Sequence, residues 1–348
     1  MGQWEIEGNE LTPSPSLLRN RGEYIFDRGL GLTRDPRLVI KLERRETMRI
    51  GIIGAGRAGG ALGLALAAAG HAVTGVCDPA PGKAEDLAVK VGADVRGPVG
   101  IVEAAEIVLL SVPDEVIAAA AADLAADLAA AVTGKAEGKV FLHLSGAHPA
   151  GLLRPLRKYG TIGSMHPLLP LAAPESGAAR LRGCWFGLEG EAAAVAAAEQ
   201  LVLSLDGHVI KLRAADKTRY HAAAVIVSNY MVGLVDIALQ LYATLGLSRD
   251  EARAAIQPLL EGTLANLRDA DPRQALTGPI SRGDLTTIEE HLRDLAGGPQ
   301  QAEAVYRTLG MAVLDLARGA GRIDDRQAGS VKALLKGDGK SGGGKADV

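Results

Sequence analysis

The stretch Met48-Arg-Ile-Gly-Ile-Ile-Gly54-Ala55-Gly56-Arg57-Ala58-Gly59-Gly60 decides how this chain folds. An apolar run of strand type leads directly into G-x-G-x-x-G, and an alanine-rich helical pattern follows. The three glycines do different things. Gly54 permits the tight turn, Gly56 lets backbone N–H groups approach a pyrophosphate, and Gly59 lets the helix pack closely on the strand. The phosphates meet a helix N-terminus, where free N–H donors and the helix dipole favour negative charge. The helix is expected over Ala58 to Ala69, ending at Gly70, with a second strand from His71 to Cys77. Asp78 then stands 19 residues after Gly59, where an acid takes ribose hydroxyls. The stretch predicts a dinucleotide cofactor, NAD or NADP, held by Gly54, Gly56, Arg57, Ala58, Gly59 and Asp78.

Working outward, the pattern alternates strand and helix, and its strands are the continuous apolar runs of a buried parallel sheet. Ile107 to Ser111 reads as a strand ending in Ser111-Val112-Pro113-Asp114, followed by a long helix over Glu115 to Val132. Strands over Lys139 to Leu144 and Thr161 to Met165 end in Ser145-Gly146-Ala147 and His166-Pro167. Arg182 to Leu188 and His208 to Leu212 add strands around a helix from Glu191 to Leu205. From Ala214 onward only helices are expected: Ala215 to Leu245, Ser248 to Arg268, Leu285 to Asp294, Pro299 to Arg318 and Asp324 to Leu335. The fold class is therefore α/β, a doubly wound Rossmann-type parallel sheet followed by an all-helical C-terminal domain. The expected divisions are 1–47, an extension to which no role is assigned; 48–212, the dinucleotide-binding domain; 213–335, the helical domain; and 336–348, a disordered tail rich in Gly and Lys.

At 348 residues the chain suits about two domains, and its net charge of −3 gives no basic excess for nucleic acid. Aromatic residues make up 3%, too few for base-stacking platforms. Cys77 and Cys184 lie in apolar runs without metal-ligand spacing, so buried thiols in a reducing, cytoplasmic compartment are expected and no metal site is assigned. Two apolar stretches, Val116 to Val132 and Ala222 to Leu245, are interrupted by polar residues and are expected as buried helices rather than membrane spans.

Ligands of open parallel sheets bind outside the carboxyl ends of the strands. Ser111, Val112 and Pro113 are accordingly expected along the nicotinamide side of the cofactor. His143 and Ser145 point to one side of their strand, and His166 lies just beyond its own, each open to a structural or a ligand role. At the start of the long helix, Lys217 and His221 share a face at i and i+4, and Ser228 at i+11 falls within about 20° of Lys217, with Asn229 farther round. That polar stripe is expensive unless it meets a cavity, ligand or partner. In Leu276-Thr-Gly278-Pro279-Ile-Ser281-Arg282-Gly283-Asp284, Asp284 is placed as an N-cap. Arg282 is placed either to fork a substrate carboxylate or to pair with an acidic neighbour.

Taken in order, GIIGAGRAGGAL, LLSVPD, HLSGA, GSMHPLLPL, YHAAAVIVSNY and LTGPISRGD resemble the Rossmann-like proteins with a DUF2520 domain, within the 6-phosphogluconate-dehydrogenase-like superfamily. The resemblance covers about residues 48 to 335. It implies an NAD(P)-binding fold and a helical C-terminal domain commonly assembled as a homodimer. Relatives in that superfamily include ketopantoate, β-hydroxyacid, pyrroline-5-carboxylate and prephenate enzymes. In the first two, a lysine opening the long helix is followed at i+4 by asparagine; here Lys217 matches the lysine and His221 replaces the amide. The run Gly-Ser-Met-His166-Pro is similar to Gly-Ser-His-Pro of prephenate dehydrogenases with one residue inserted. Asp78 departs from the small or basic residue of NADP-directed members, because a carboxylate repels a 2′-phosphate, and this leans the expectation to NAD even with Lys83 nearby.

The expected activity is an NAD(P)-dependent oxidoreductase reducing the carbonyl of a small 2-oxo acid, a ketopantoate-type substrate first. Lys217 would stabilise and protonate the developing oxyanion with His221 as helper. Ser145, His166, Ser228 and Asn229 would orient the substrate, and Arg282 would take its carboxylate. The alternatives are a cyclic-imine reductase or prephenate-type dehydrogenase, and a dinucleotide-binding sensor without turnover.

Overall fold

A computed structural model describes residues 4–7, 10–13, 47–131 and 137–337. The expectations for most of the first 47 residues, and for the tail beyond Gly337, lie outside them. Strands β1 (Trp4–Glu7) and β2 (Glu10–Pro13) form an antiparallel pair. The chain divides into two compact units, Met1–Tyr220 and His221–Val348.

The first unit is built on a seven-stranded sheet. Its strands are β3 (Arg49–Ile53), β4 (Ala72–Cys77), β5 (Ile107–Leu110), β6 (Lys139–His143), β7 (Gly160–Pro167), β8 (Trp185–Gly190) and β9 (His208–Lys211), in the order β4-β3-β5-β6-β7-β8-β9. From β4 to β7 all neighbours are parallel; β8 runs antiparallel to β7, and β9 parallel to β8. The chain steps from β3 outward to β4 and then back past β3 to β5, so the connections leave β3 in opposite directions and open a crevice at its carboxyl end.

Helices α1 (Arg57–Ala68), α2 (Lys83–Val91), α3 (Pro98–Ala104), α4 (Ile117–Ala131), α5 (Pro174–Leu181) and α6 (Ala192–Ser204) cover the sheet on both faces. Period-two alternation divides the core between them. Ile107 and Leu109 of β5 join Leu62, Leu66, Leu87 and Leu201 on one side. Val108 and Leu110 join Ile101, Ile117, Leu124 and Leu128 on the other. Each such side chain, fully buried, stabilises the fold by about 2 kcal/mol. Helix α4 buries Ile117, Ala121, Leu124, Ala125 and Leu128 as one stripe, with Asp123 and Asp127 on its exposed face. Cys77 and Cys184 are free thiols, half-buried rather than buried as expected from their apolar runs, because both sit at strand ends.

Beyond β9 the elements are α7 (Lys217–Val227), α8 (Asn229–Thr244), α9 (Arg249–Asp269), α10 (Pro272–Ala275), α11 (Pro279–Arg282), α12 (Leu285–Leu295), α13 (Ala302–Gly319) and α14 (Asp325–Lys336). Helix α9 opens with a capping box between Ser248 and Glu251, and α14 with one between Asp324 and Gln327. Ile280, Ile288, Leu292, Leu314, Val331 and Leu335 form the larger core of the second unit.

Two expectations for the long apolar helix are corrected. It is two helices, broken at Ser228, where φ is −110° and ψ −71°; the Val232 N–H reaches back to the Ser228 carbonyl at 3.4 Å, a stretched step in the ladder. It is also exposed rather than buried: only Lys217 in α7 and Leu239 in α8 are buried. Ile226, Val227, Tyr230 and Val232 are each more than 60% exposed, at 62%, 65%, 61% and 71%. By length and composition Ala214–Thr244 is apolar enough to cross a membrane. The apolar pattern records a surface, which alternation alone does not distinguish from a core.

Candidate active site

The glycine-rich turn is fixed by crowding on two sides and openness on the third. Gly54 holds φ at +100°, and a Cβ there would collide with the Ser111 carbonyl. A Cβ on Gly59 would run into the Gly54 carbonyl and the Ser111 side chain. Above Gly56 nothing lies within 4 Å, so backbone is bare where an extended ligand would cross. Gly56 is the N-cap of α1, and no side chain caps that N-terminus. These N–H groups suit an anion such as a pyrophosphate.

Asp78 stands at the carboxyl end of β4 and ties the turn down: Oδ2 accepts from the Ala55 N–H at 2.8 Å and Oδ1 from the Ala80 N–H at 2.8 Å. Each oxygen keeps a second lone pair for a ribose hydroxyl. A cavity of about 200 Å³ opens beside the turn, lined in part by Gly56, Arg57, Lys83, Asp86, Lys90 and Glu175. Arg57 and Ala58 are the first residues of α1, and Ser111 packs against the turn from β5. Val112 and Pro113 continue from it into a 3₁₀ turn over Asp114–Val116. The cofactor residues expected from the sequence thus lie on three adjacent strand ends, β4, β3 and β5.

Farther along the same edge the site is made of side chains. The Lys217 ammonium has no exposed surface and donates to the Ser145 carbonyl at 2.8 Å and to Ser164 Oγ at 2.7 Å. It therefore ties the end of β6 to the neighbouring β7. Burial pushes its pKa down to about 8, against the pull of the Glu189 and Asp114 charges. Glu189 is itself buried and accepts from the Ala150 N–H at 2.6 Å. His143 is fully buried, its Nδ1 accepting from the Ser145 N–H at 3.2 Å and its Nε2 lying 3.2 Å from the Pro149 carbonyl. That pairing selects the neutral ring with the proton on Nε2. Burial first, and the Lys217 charge second, push its pKa down to about 4.

Ser145 Oγ donates to Asp114 Oδ2 at 2.8 Å and accepts from the N–H groups of Ala147 and His148, at 3.2 and 3.1 Å. The loop after β6 is thereby folded toward Asp114, which follows β5. One turn along α7 from Lys217, Tyr220 Oη lies 3.0 Å from His166 Nδ1, the two rings edge to face. Burial pushes the Tyr220 phenol up to about 12.

Lys217, Ser145 and His166 are thus brought together with four groups that the motifs alone do not single out for these roles: Asp114, Ser164, Glu189 and Tyr220. A signal for two of them exists in the spacing. Ser164 and His166 share a strand face at i and i+2, Lys217 and Tyr220 a helix side at i and i+3, and these repeats advance by about 6.6 and 4.5 Å, close enough to pair. His221, Ser228, Asn229 and Arg282 belong to the second unit. There His221 is half-buried and Ser228 occupies the break between α7 and α8, so the expected continuous stripe from Lys217 is interrupted. Arg282 is exposed at the end of α11, its charge near Asp284, which caps α12 through Thr287.

Comparison with known proteins agrees with this architecture. The Rossmann-like domain matches residues 38–167 and the domain of unknown function DUF2520 matches residues 184–313. No curated protein matches the chain. Among solved structures, TM1727 from Thermotoga maritima is 24% identical, with 78% of this chain and 98% of that one covered and a TM-score of 0.60. BF3122 from Bacteroides fragilis, provisionally assigned as an NADP oxidoreductase, is 23% identical, with 77% and 98% covered and a TM-score of 0.58. Pyrroline carboxylate reductase of Plasmodium falciparum, with NADP bound, is 14% identical, with 83% and 99% covered and a TM-score of 0.51. These three are likenesses of fold. The chain thus carries a match to the Rossmann-like domain followed by a match to the DUF2520 domain.

Proposed function

We propose that this protein is an NAD(P)-dependent oxidoreductase acting on a small substrate with a polarised C=O or C=N bond. The observation that carries the reading is the uncapped N-terminus of α1 under the bare backbone of Gly56, next to strand ends rich in buried polar groups. Gly54, Gly56, Arg57, Ala58 and Gly59 would hold the pyrophosphate, Asp78 the adenosine ribose, and Ser111 to Pro113 the nicotinamide half. The cofactor would supply hydride. Asp78 supports NAD, while Arg57 and Lys83 beside the same turn supply the positive charge a 2′-phosphate needs.

A 2-oxo acid of ketopantoate type is the first substrate class, with Ser145 and His166 orienting it from the strand ends; Ser228, Asn229 and Arg282 stay candidate substrate-binding residues of the second unit. Lys217 fits a positioning role better than that of proton donor, since an ammonium without exposed surface does not reach a substrate. The same burial supports a second reading, a cyclic imine, whose nitrogen needs no strong acid at Lys217. His221 keeps the role of helper to whichever group donates.

The exposed apolar residues of α7 and α8 support a homodimer, the second copy covering Ile226, Val227, Tyr230 and Val232. A membrane is the poorer partner, because the first turn of α7 is hydrogen-bonded into the sheet through Lys217 and Tyr220.

The deciding test is nicotinamide absorbance with purified protein, NADH and NADPH in parallel, and a panel of 2-oxo acids and cyclic imines headed by ketopantoate. Substrate-dependent oxidation is expected with one class. Cofactor binding without turnover on the whole panel would favour a sensor, and absence of binding would end the reading.

A further inference from the structure

The sheet order places the parts of an extended dinucleotide in sequence along one edge. Asp78 marks β4, the glycine turn β3, and Ser111 β5, so a dinucleotide held by them would turn its hydride-carrying half toward the ends of β5 and β6. Two ionisable side chains converge there. Asp114 comes from the loop after β5 and His148 from the loop after β6. Asp114 Oδ2 lies 3.9 Å from His148 Nε2, longer than a hydrogen bond and within ion-pair reach of a protonated ring, and both side chains keep nearly half their surface open, 43% and 46%.

The pair is held from behind. Ser145 Oγ binds the same Asp114 oxygen at 2.8 Å while accepting from the His148 backbone N–H at 3.1 Å. The Ser145 carbonyl is in turn fixed by Lys217 at 2.8 Å. His143 is buried, its ring nitrogens occupied by Ser145 and Pro149, so His148 is the imidazole of this loop that remains open. A carboxylate beside one ring nitrogen, with the other nitrogen open, lets the carboxylate attract and orient a protonated imidazole across the 3.9 Å that separates them, an electrostatic version of the carboxylate–imidazole pairing used in proton transfer.

We propose that His148, oriented by Asp114, is a catalytic residue: it delivers the proton that completes reduction at the substrate oxygen or nitrogen. This rests on the reductase reading above. His148 Nδ1 gives one proton to the oxygen or nitrogen as that atom takes the π electron pair of the C=O or C=N bond. The ring regains a proton from water through its open side. The hydride at carbon, with its two electrons, is what a reduced nicotinamide supplies while itself being oxidised. Lys217 and Ser145 then act as positioning residues, which accounts for an ammonium buried so close to the edge without facing it.

The first test needs no substrate. Carbethoxylation of the wild-type protein with diethyl pyrocarbonate, read residue by residue by mass spectrometry, is carried out with and without saturating NADH or NADPH. His148 is expected to react in the free protein and to be protected about tenfold by cofactor, whereas His208, three strands away on β9, is expected to react equally in both. Cofactor that binds without protecting His148 would overturn the inference and leave the reductase reading intact. Failure of both cofactors to bind would overturn the reductase reading itself. The second test uses the best substrate of the panel: His148→Gln and Asp114→Asn should each lower kcat, the former about a hundredfold. Cofactor Kd should stay within about twofold, and the double variant should lose little beyond the His148 single, as expected of groups acting as a unit. A kcat within about threefold of wild type in His148→Gln would overturn the role.

Discussion

The strand-end edge of the sheet is made of two materials. At β3 the candidate site is backbone: glycines, a helix N-terminus and one carboxylate that pins the turn. At β6 and β7 it is side chains: Lys217, Ser145, Ser164, His143 and Glu189 are buried, with the Lys217 ammonium bonded to Ser145 and Ser164, and Asp114 and His148 stand at the opening. A backbone site depends on dihedral angles and on the absence of atoms. A side-chain cluster depends on partners held together from distant parts of the chain, as Lys217 is with Ser145, 72 residues away. The two halves should therefore fail differently.

The largest effect is expected at the backbone half. Gly54→Val sets a β-branched residue at φ +100° against the Ser111 carbonyl, and strain plus overpacking should cost on the order of 4 kcal/mol along with cofactor binding. Thermal unfolding and cofactor fluorescence check both; a variant of wild-type stability would mean the turn is softer than its crowding implies.

At the side-chain half the signature is pH. Lys217 has its pKa lowered to about 8 in the folded protein, so between about 8 and 10.5 the unfolded chain binds the extra proton and stability from this group rises with pH. Below that window its buried charge costs on the order of 3 kcal/mol. Lys217→Met should remove the rise, and denaturant unfolding of both proteins from pH 7 to 10.5 measures the difference. His143 behaves in the opposite part of the scale. With its pKa lowered to about 4, it stays neutral while the unfolded chain protonates, so stability is lost as pH falls from about 6.5 toward 4. His143→Gln should flatten that loss, again on the order of 3 kcal/mol. Parallel curves for wild type and either variant would mean that the polar cluster is wetter than its burial indicates.

The smallest effect is expected at the outer rim of the cluster. Tyr220→Phe removes one hydrogen bond to His166 and should cost about 1 kcal/mol. Denaturant midpoints resolve a loss of that size, and an unchanged midpoint would place the Tyr220 phenol outside the framework.

The same division explains what could be read from the sequence. The Rossmann-type sheet was legible from the run Met48 to Gly60 and the apolar strands after it, because glycine positions and strand periodicity are local facts. Asp114 and Glu189 were not, and Ser164 and Tyr220 showed only as spacings to His166 and Lys217, since nothing local announces that β6, β7 and α7 meet. The long apolar run after Lys217 misled for a related reason: apolar side chains left on a surface and apolar side chains of a core share one pattern, and Ser228 does not advertise a helix break.

Gly56 carries a lesson of another kind. Its φ of −70° is one that alanine adopts freely, and the space above it is empty. A methyl group there would leave the folded protein untroubled while standing where the proposed cofactor would pass. A screen that ranks variants by heat resistance or yield would pass Gly56→Ala and reject Gly54→Ala and Gly59→Ala, although all three lie in one motif. On the reading proposed above, the information at this position concerns the cofactor, and only a selection that includes the cofactor would recover it.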